Sequence, residues 1–327
     1  MQSASAANTC AVSVIICTYN RAQSLHSTLV SLDKMAVPAD FAWEVVVVDN
    51  NSTDDTRGAT ARFSGNARIP VRYIFEGRQG LNHARNAGVK EAEGNLLFFI
   101  DDDVEVSDNW LLEMKKAFDV YPVIGVGGRV LLKEDLQRPA WWNSEYDGAL
   151  GKFDSGNTNI LSDASYNSII GIGANLGFRR SVFNEYGGFH PHLDRRGSKL
   201  MMGGDIEYTE RLKAAGGLLM YYPSAVVFQC PDPSRFTKSY LRRWHFRIGE
   251  WEARRARPRI RKPSSIFTLP LWKYGQLLRQ LLQTASLTLS GRHDERFYNE
   301  LQCISQLGYF FGAAKNGVTW HPFSSEG

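Results

Sequence analysis

Asn95-Leu96-Leu97-Phe98-Phe99-Ile100-Asp101-Asp102-Asp103 is an apolar run that stops in three carboxylates. A run apolar at every position reads as a strand covered on both faces, as in a parallel sheet. Three adjacent aspartates repel one another, and a strand end disfavours them. A divalent cation relieves the repulsion, and hard oxygen ligands suit Mg2+ or Mn2+. A solvated acidic turn is the other reading of the same residues.

Three similar runs lie upstream. Ala11–Cys17 ends in Thr18-Tyr19-Asn20-Arg21, Trp43–Val48 ends in Asp49-Asn50-Asn51-Ser52, and Val71–Phe75 is shorter. Between them, Ser24–Leu32, Asp54–Phe63 and Asn82–Glu91 carry helical patterns, with Thr53 or Asp54 as a cap of the second. Strands alternating with helices predict a parallel α/β sheet with right-handed crossovers. The polar residues fall at the C-terminal strand ends, where open α/β sheets bind ligands. Neither G-x-G-x-x-G after the first strand nor a P-loop is present.

Further along, Gly171–Arg180 and Gly187–Phe189 are glycine-rich, as expected where backbone approaches a ligand. Ile206–Ala215 reads as a helix with Glu207 and Arg211 paired at i, i+4. Leu218–Tyr222 and Ala225–Phe228 are short apolar runs, either strands or loops. Asp49 suits a hydrogen bond from a base or ribose, or an Asx turn. Arg85 suits a phosphate, or is an ordinary helical arginine. Asp205, after two glycines and before a helix, is either a general base or an N-cap. Trp141, Trp142 and Tyr146, in the loop region Leu136–Thr158, form either a platform for a sugar ring or part of the core. His190 and His192 read as loop packing.

The chain has 327 residues, 43% hydrophobic and 22% charged, which excludes a disordered chain, a collagen-like repeat and a small disulfide scaffold. The net charge of +4 is unevenly spread. Arg235 to Lys262 holds eleven Lys/Arg against Glu250 and Glu252, a local +9, which leaves the rest at −5. This stretch and Ile266–Leu289 interleave cations with Trp, Phe and Leu, which suits an anionic membrane surface. A helical lid with solvated arginines is the alternative. No nucleic-acid motif accompanies the patch, so nucleic acid is not expected. Cys10, Cys17, Cys230 and Cys303 are scattered without metal or redox spacing, which fits a reducing, cytoplasmic setting. Residues 1–10 read as a flexible N-terminus without signal-peptide character, and no apolar window is long enough to span a bilayer.

Taken together, the motifs resemble the family 2 glycosyltransferases. The carriers are Ser13-Val14-Ile15-Ile16-Cys17-Thr18-Tyr19-Asn20-Arg21, Val47-Val48-Asp49-Asn50-Asn51-Ser52-Thr53-Asp54-Asp55-Thr56, Gly80-Leu81-Asn82-His83-Ala84-Arg85-Asn86-Ala87-Gly88 and the D-x-D-like Asp101-Asp102-Asp103. They are followed in order by Gly173-Ala174-Asn175 with Arg179-Arg180, by Gly187-Gly188-Phe189, and by Gly204-Asp205-Ile206-Glu207 with Arg211-Leu212. The resemblance runs from Ala11 to Phe228. It implies a GT-A fold over residues 11–230, with a basic, mostly helical region at 231–327. It also implies an inverting, metal-dependent transfer of a sugar from a nucleotide-diphosphate-sugar to a glycan, lipid-linked or other glycoside acceptor. A UDP-sugar is expected first among donors, polysaccharide biosynthesis is the expected setting, and the enzyme is expected in the cytoplasm or at the inner face of the cell membrane.

Carried onto this chain, the resemblance gives the nucleotide-sugar to Thr18, Tyr19, Arg21, Asp49, Asn51, Arg85, Asp101 and Asp102. It gives Mn2+ or Mg2+ to Asp103 and base catalysis to Asp205. Trp141, Asn175 and Gly204 are expected near the acceptor or donor sugar. Two positions depart from the family's pattern: Gly204 stands where Glu is usual, and Gln229 lies where His is frequent. A non-catalytic sugar-nucleotide-binding or membrane-associated scaffold would accommodate both departures. A nucleotidyltransferase would carry a glycine-rich, lysine-bearing phosphate loop after the first strand, which Thr18-Tyr19-Asn20-Arg21 is not.

Overall fold

A computed structural model describes residues 10–166, 168–193, 203–255 and 271–315. Arg257, Arg259, Arg261, Lys262, Phe267, Leu269 and most of the loop His190–Met202 lie outside the described residues. The chain forms two compact units. The first is Met1–Leu136, Leu150–Lys199 and Gly203–Pro231; the second is Gln137–Ala149, Leu200–Met202 and Asp232–Gly327.

The first unit runs β1 (Val12–Thr18), α1 (Ala22–Lys34), β2 (Trp43–Asp49), α2 (Thr56–Ser64), β3 (Val71–Phe75), α3 (Leu81–Glu91) and β4 (Leu96–Asp101). It continues through β5 (Val104–Val106), α4 (Trp110–Val120), β6 (Gly125–Leu132), β7 (Ile160–Ser162), β8 (Asn175–Arg179), α5 (Arg180–Tyr186), α6 (Gly204–Ala214) and β9 (Leu219–Gln229). One sheet joins the strands in the order β3-β2-β1-β4-β8-β6-β9-β5, with β7 paired on β9. The first four strands are parallel, β8 is antiparallel between β4 and β6, and β6 and β9 are parallel again. Six of these nine strands therefore share one direction, and β5, β7 and β8 oppose it.

The strands are apolar at successive positions because both sheet faces are covered. Val12, Val14 and Ile16 join Val45, Val47, Phe98 and Ile100 under Leu25, Leu29 and Leu32 of α1. Ile15 joins Val46, Val48, Leu97 and Phe99 on the other face, with Ala84 of α3. Each fully buried Leu or Phe contributes about 1.5–3 kcal/mol. Gly88 lets α3 lie against the sheet: a Cβ there would meet Ile15 Cγ2 at 2.5 Å.

Two features differ from the sequence reading. Leu218–Tyr222 and Ala225–Phe228 are a single strand, β9, with Pro223 at a register shift opposite Gly128 and Arg129. The cap of α2 is Asp55 rather than Thr53 or Asp54. The Asp54 carboxylate instead accepts from the Ala22 N–H at 3.0 Å and the Thr56 N–H at 3.1 Å, which ties the loops after β1 and β2 together.

The second unit contains α7 (Lys238–Arg255), α8 (Leu271–Leu289) and α9 (His293–Lys315). Trp141, Trp142 and Tyr146 pack there with Tyr240, Leu241, Phe297 and Leu301, and Lys238 Nζ lies 5.3 Å from the Trp141 ring. All of these packing partners belong to the second unit. Among the described residues, no helix is long and apolar enough to cross a membrane.

Candidate active site

The ends of β1, β2 and β4 sit side by side, because Thr18 pairs with Asp49 and Cys17 with Asp101 across the parallel ladder. Two tight turns form the rim. Asn20 and Asn51 both hold positive φ, 52° and 65°, a region asparagine tolerates better than other side chains. The Thr53 N–H donates to Asn20 Oδ1 at 2.7 Å and the Asn20 N–H to Ser52 Oγ at 2.9 Å. Tyr19 is half-buried and Asn51 exposed on this rim.

Asp49 is buried at the end of β2. Its Oδ1 accepts from the Ser52 N–H at 2.9 Å and its Oδ2 from the Tyr73 hydroxyl at 2.7 Å. Burial, then the adjacent Asp49 carboxylate, raise the Tyr73 hydroxyl above its ordinary pKa, so it remains a donor. Asn50 fixes the next loop: its Nδ2 donates to Arg78 O at 2.8 Å and its Oδ1 accepts from the Gly80 N–H at 2.7 Å. Sequence reasoning gave no role to Tyr73 or Asn50. Asn50 directly follows β2, the same placement that marked Asp49, whereas Tyr73 lies in the middle of β3 and had no such signal.

The three aspartates are not equivalent. Asp101 is half-buried, whereas Asp102 and Asp103 are each 4% exposed. Asp102 Oδ2 accepts from the Thr18 hydroxyl at 2.6 Å. One guanidinium nitrogen of Arg21 donates to Asp102 Oδ1 and to Asp103 Oδ2, each at 3.0 Å. Burial lifts the Asp102 carboxyl to about 6 against the opposing pull of Arg21, and Asp103 adds to the rise. Burial alone would lower the Arg21 pKa, but Asp102 and Asp103 outweigh it and raise it. Thr18, Arg21, Asp102 and Asp103 thus bond to one another, because charges this deeply buried need partners.

Asp103 is held from the opposite side by β9. Val104 pairs with Gln229, the Cys230 N–H donates to Asp103 O at 2.7 Å, and Gln229 Nε2 donates to Asp103 Oδ1 at 2.5 Å. Gln229 therefore acts as a donor to the carboxylate. An imidazole nitrogen, the alternative found at this place in the family's pattern, would suit a metal as well.

Residues of the third and later motifs gather around Gly173. The Gly173 N–H donates to Asp205 Oδ2 at 2.6 Å. A Cβ at Gly173 would meet Arg85 Nη2 at 2.0 Å and Asp205 Oδ2 at 3.4 Å, so glycine alone leaves room for both. Arg85 is buried, donates to Asn82 Oδ1 at 3.2 Å and lies 5.3 Å from the Phe189 ring centre. Reciprocal bonds between the Asn86 side chain and the Phe189 backbone, 2.8 and 2.9 Å, and one from Asn82 Nδ2 to His190 O at 2.8 Å, anchor the following loop on α3. Gly204 opens α6, and Gly203 before it has φ 100°. Glu207 points elsewhere: its Oε1 accepts from Arg211 Nε at 3.0 Å.

Asn175 does not fill the role expected of it. Its side chain is fully buried, accepts from Trp110 Nε1 at 2.9 Å and donates to Arg129 O at 3.0 Å and Ala225 O at 2.9 Å. The Trp110 bond ties β8 to α4, and the other two tie it to β6 and β9 within the sheet.

A large, mostly parallel sheet with acidic strand ends and a carboxylate opening a later helix defines a GT-A glycosyltransferase. The glycosyl transferase family 2 model matches residues 13–187, more than half of the chain, and the chain belongs to that family. It is similar to the glycosyltransferase AglE of Haloferax volcanii, 28% identical over 80% of this chain and 79% of that protein. It is also similar to the succinoglycan biosynthesis protein ExoM of Rhizobium meliloti, 25% identical over 74% of each. Among solved structures, the mannosyltransferase PcManGT of Pyrobaculum calidifontis, in complex with GDP-Man and Mn2+, superposes with a TM-score of 0.61. It is 20% identical over 93% of this chain and 85% of its own. Staphylococcus aureus TarS residues 1-349 in complex with UDP gives 0.51 at 17% identity, over 93% of this chain and 90% of that one. The chain is a glycosyltransferase.

Proposed function

We propose that the protein is an inverting, metal-dependent sugar transferase that uses Asp205 as its base. The carrying observation is Gly173, which has Asp205 Oδ2 on its N–H and Arg85 beside its Cα, on the sheet whose strand ends hold Asp49 and Asp101–Asp103. The attacking sugar hydroxyl needs its proton removed, and the leaving diphosphate needs positive charge. Asp205 serves the first task, and an ion at the acidic strand ends serves the second.

The residues fit a divalent ion. Among the described residues no group of three or more His, Cys, Asp or Glu is arranged to hold one. Mg2+ and Mn2+ bind to sugar nucleotides through one or two protein carboxylates, the phosphates completing the shell. Asp101 and Asp103 supply such oxygens. When bound, the ion neutralises the leaving diphosphate. Asp49 and Tyr19 receive the base and ribose of a nucleotide-diphosphate-sugar, with a UDP-sugar first among donors; TarS 1-349 holds UDP and PcManGT holds GDP-Man. One base opposite the leaving group inverts the anomeric centre. The acceptor is a glycan or lipid-linked glycoside. ExoM takes its name from succinoglycan biosynthesis, and a glucosyl-dolichyl phosphate glucuronosyltransferase of Haloferax volcanii is 26% identical over 58% of each chain. Among the described residues no disulfide joins the cysteines, which supports a cytoplasmic enzyme.

The test is release of nucleoside diphosphate from a donor panel, with and without Mn2+. Metal-dependent release from one donor class, lost in Asp205→Asn, is the expected result. Pyrophosphate release would make the protein a nucleotidyltransferase, and binding without release a scaffold.

A further inference from the structure

We infer that the outer face of α8 is a membrane-interfacial surface that lies on an anionic lipid bilayer. The basic stretch of the sequence drew attention to α7, but Trp244, Phe246, Ile248 and Trp251 are half-buried there, and Tyr240 and Leu241 are buried. The exposed apolar surface is on the next helix. Leu278, Leu282, Ala285 and Leu289 recur at i, i+4, i+7 and i+11, with Leu281 alongside, and so share one face. The leucines are 59%, 64%, 91% and 50% exposed at 278, 282, 289 and 281. Trp272 is a further 62% exposed.

The opposite face of α8 is already covered. Asn299 Nδ2 donates to Gln280 O and Thr284 Oγ1 at 2.7 Å, and Leu287 is buried. α9 therefore fixes which side of α8 faces outward. A row of exposed leucines on a helix seated this way marks an interaction surface rather than chance exposure.

Charge selects the occupant. α8 contains Lys273 and Arg279 and no Asp or Glu. The second unit as a whole holds 17 Lys/Arg against nine Asp/Glu, a net +8, while the first unit is −4. A leucine face with a flanking Trp, on a strongly basic body, matches the lipid–water boundary of an anionic leaflet. The helix is too polar to cross the bilayer and so lies in its plane. A neutral protein partner would need no such unit-wide charge. A second copy of this chain would bring +8 against +8. The inference goes beyond the transfer reaction and does not depend on it.

The full chain is floated with vesicles of phosphatidylcholine alone and of equal parts phosphatidylcholine and phosphatidylglycerol, beside Leu278→Gln/Leu282→Gln and Leu289→Gln. Wild type is expected on the anionic vesicles, with less at high salt. The double variant should bind roughly tenfold less or weaker, since each leucine removes several methylenes from the bilayer. Because these positions are exposed, melting curves should match wild type, and Leu289→Gln, at the most exposed site, keeps the test valid if the double variant melts early. Wild-type recovery equal on both vesicle types, or variants that float like wild type, would overturn the inference. So would a wild-type dimer that the double variant converts to monomer without any vesicle binding.

Discussion

Asp205 Oδ2 accepts the Gly173 N–H at 2.6 Å, which fixes a carboxylate at the first turn of α6 against a loop between β7 and β8. The bond ties the group to backbone, so its position does not depend on a mobile partner. Asparagine can take the same N–H through its amide oxygen but cannot accept a proton. Asp205→Asn should therefore leave donor affinity little changed and lower kcat by roughly 10²–10⁴, the range of general-base catalysis. Isothermal titration with nucleoside diphosphate and steady-state kinetics read the two halves separately. Loss of donor affinity with kcat preserved would remove Asp205 from the base role.

Glu207 is the nearest rival, two residues further along α6. Its Oε1 is engaged by Arg211, which also donates to Gly188 O at 2.7 Å and to Tyr186 O. The carboxylate thus helps hold the loop that carries Phe189. Glu207→Gln should keep kcat within a few-fold and lower stability by about 1–2 kcal/mol, as for a hydrogen bond to a charged group. Chemical denaturation beside the transfer assay decides it: a silent but fully stable variant would exchange the roles of Glu207 and Asp205.

A second structural carboxylate supplies a pH signature. Glu44 on β2 is buried and accepts from Ser13 Oγ at 2.6 Å, the Glu93 N–H at 2.7 Å and Arg72 Nε at 2.7 Å, so it joins β1, β3 and the end of α3. Burial pushes its pKa up, but these hydrogen bonds together win and hold it below the ordinary 4.5. A folded-state pKa that is depressed contributes stability above the unfolded value, and the contribution fades as pH falls through the folded one. Glu44→Gln should cost on the order of 1–3 kcal/mol at neutral pH. The gap from wild type should narrow below pH 4.5. Melting temperatures of both proteins across that window measure it. A gap that stays constant with pH would assign the effect to packing alone.

The half of the sheet formed by β1, β2 and β4 was legible because these strands are covered on both faces and so stay apolar residue after residue. The other half was not. β6 and β8 carry Gly125, Gly127, Gly128 and Gly177 at positions where a Cβ would collide with neighbours: at Gly177 it would lie 2.7 Å from Phe98 Cδ1, and at Gly128 2.2 Å from Asn175 Nδ2. Close packing thus erased the apolar pattern that reveals a strand. β9 was split in the sequence by Pro223, which the fold places at a register shift. Glycine-rich segments were read as ligand approaches for the same reason, whereas from Asn175 to Arg179 the segment is a strand of the sheet.

Within the site, position along the chain was legible and direction was not. Asp49, Asp101, Asp103, Arg85 and Asp205 lie where strand ends and helix starts put them. Whether a side chain faces a ligand or a neighbour depends on contacts distant in sequence. Thr18 and Asp102 are 84 residues apart and bonded to each other. Asn175 meets Trp110, 65 residues away. Neither partnership has a local periodicity to betray it.

Arg21 provides the last test, because it occupies the place of a cation between Asp102 and Asp103, whose side chains are only 6% and 5% exposed. Removing it leaves two buried carboxylates with one fewer positive partner. Breaking a fully buried pair costs about 3–5 kcal/mol, and Arg21 keeps partial contact with water, so Arg21→Ala should lose about 2–3 kcal/mol in the presence of a chelator. If Asp103 binds the divalent ion of the proposed reaction, Mn2+ with a nucleoside diphosphate restores the missing charge. Stabilisation by a ligand that binds only the folded protein grows with its affinity. The melting temperature of Arg21→Ala should therefore rise more on adding Mn2+ and nucleotide than that of wild type, in which the ion must share Asp103 with the guanidinium. Asp103→Asn serves as the control and should show no Mn2+-dependent rise. Equal rises in wild type, Arg21→Ala and Asp103→Asn would place the ion elsewhere and leave Arg21 as a structural clamp alone.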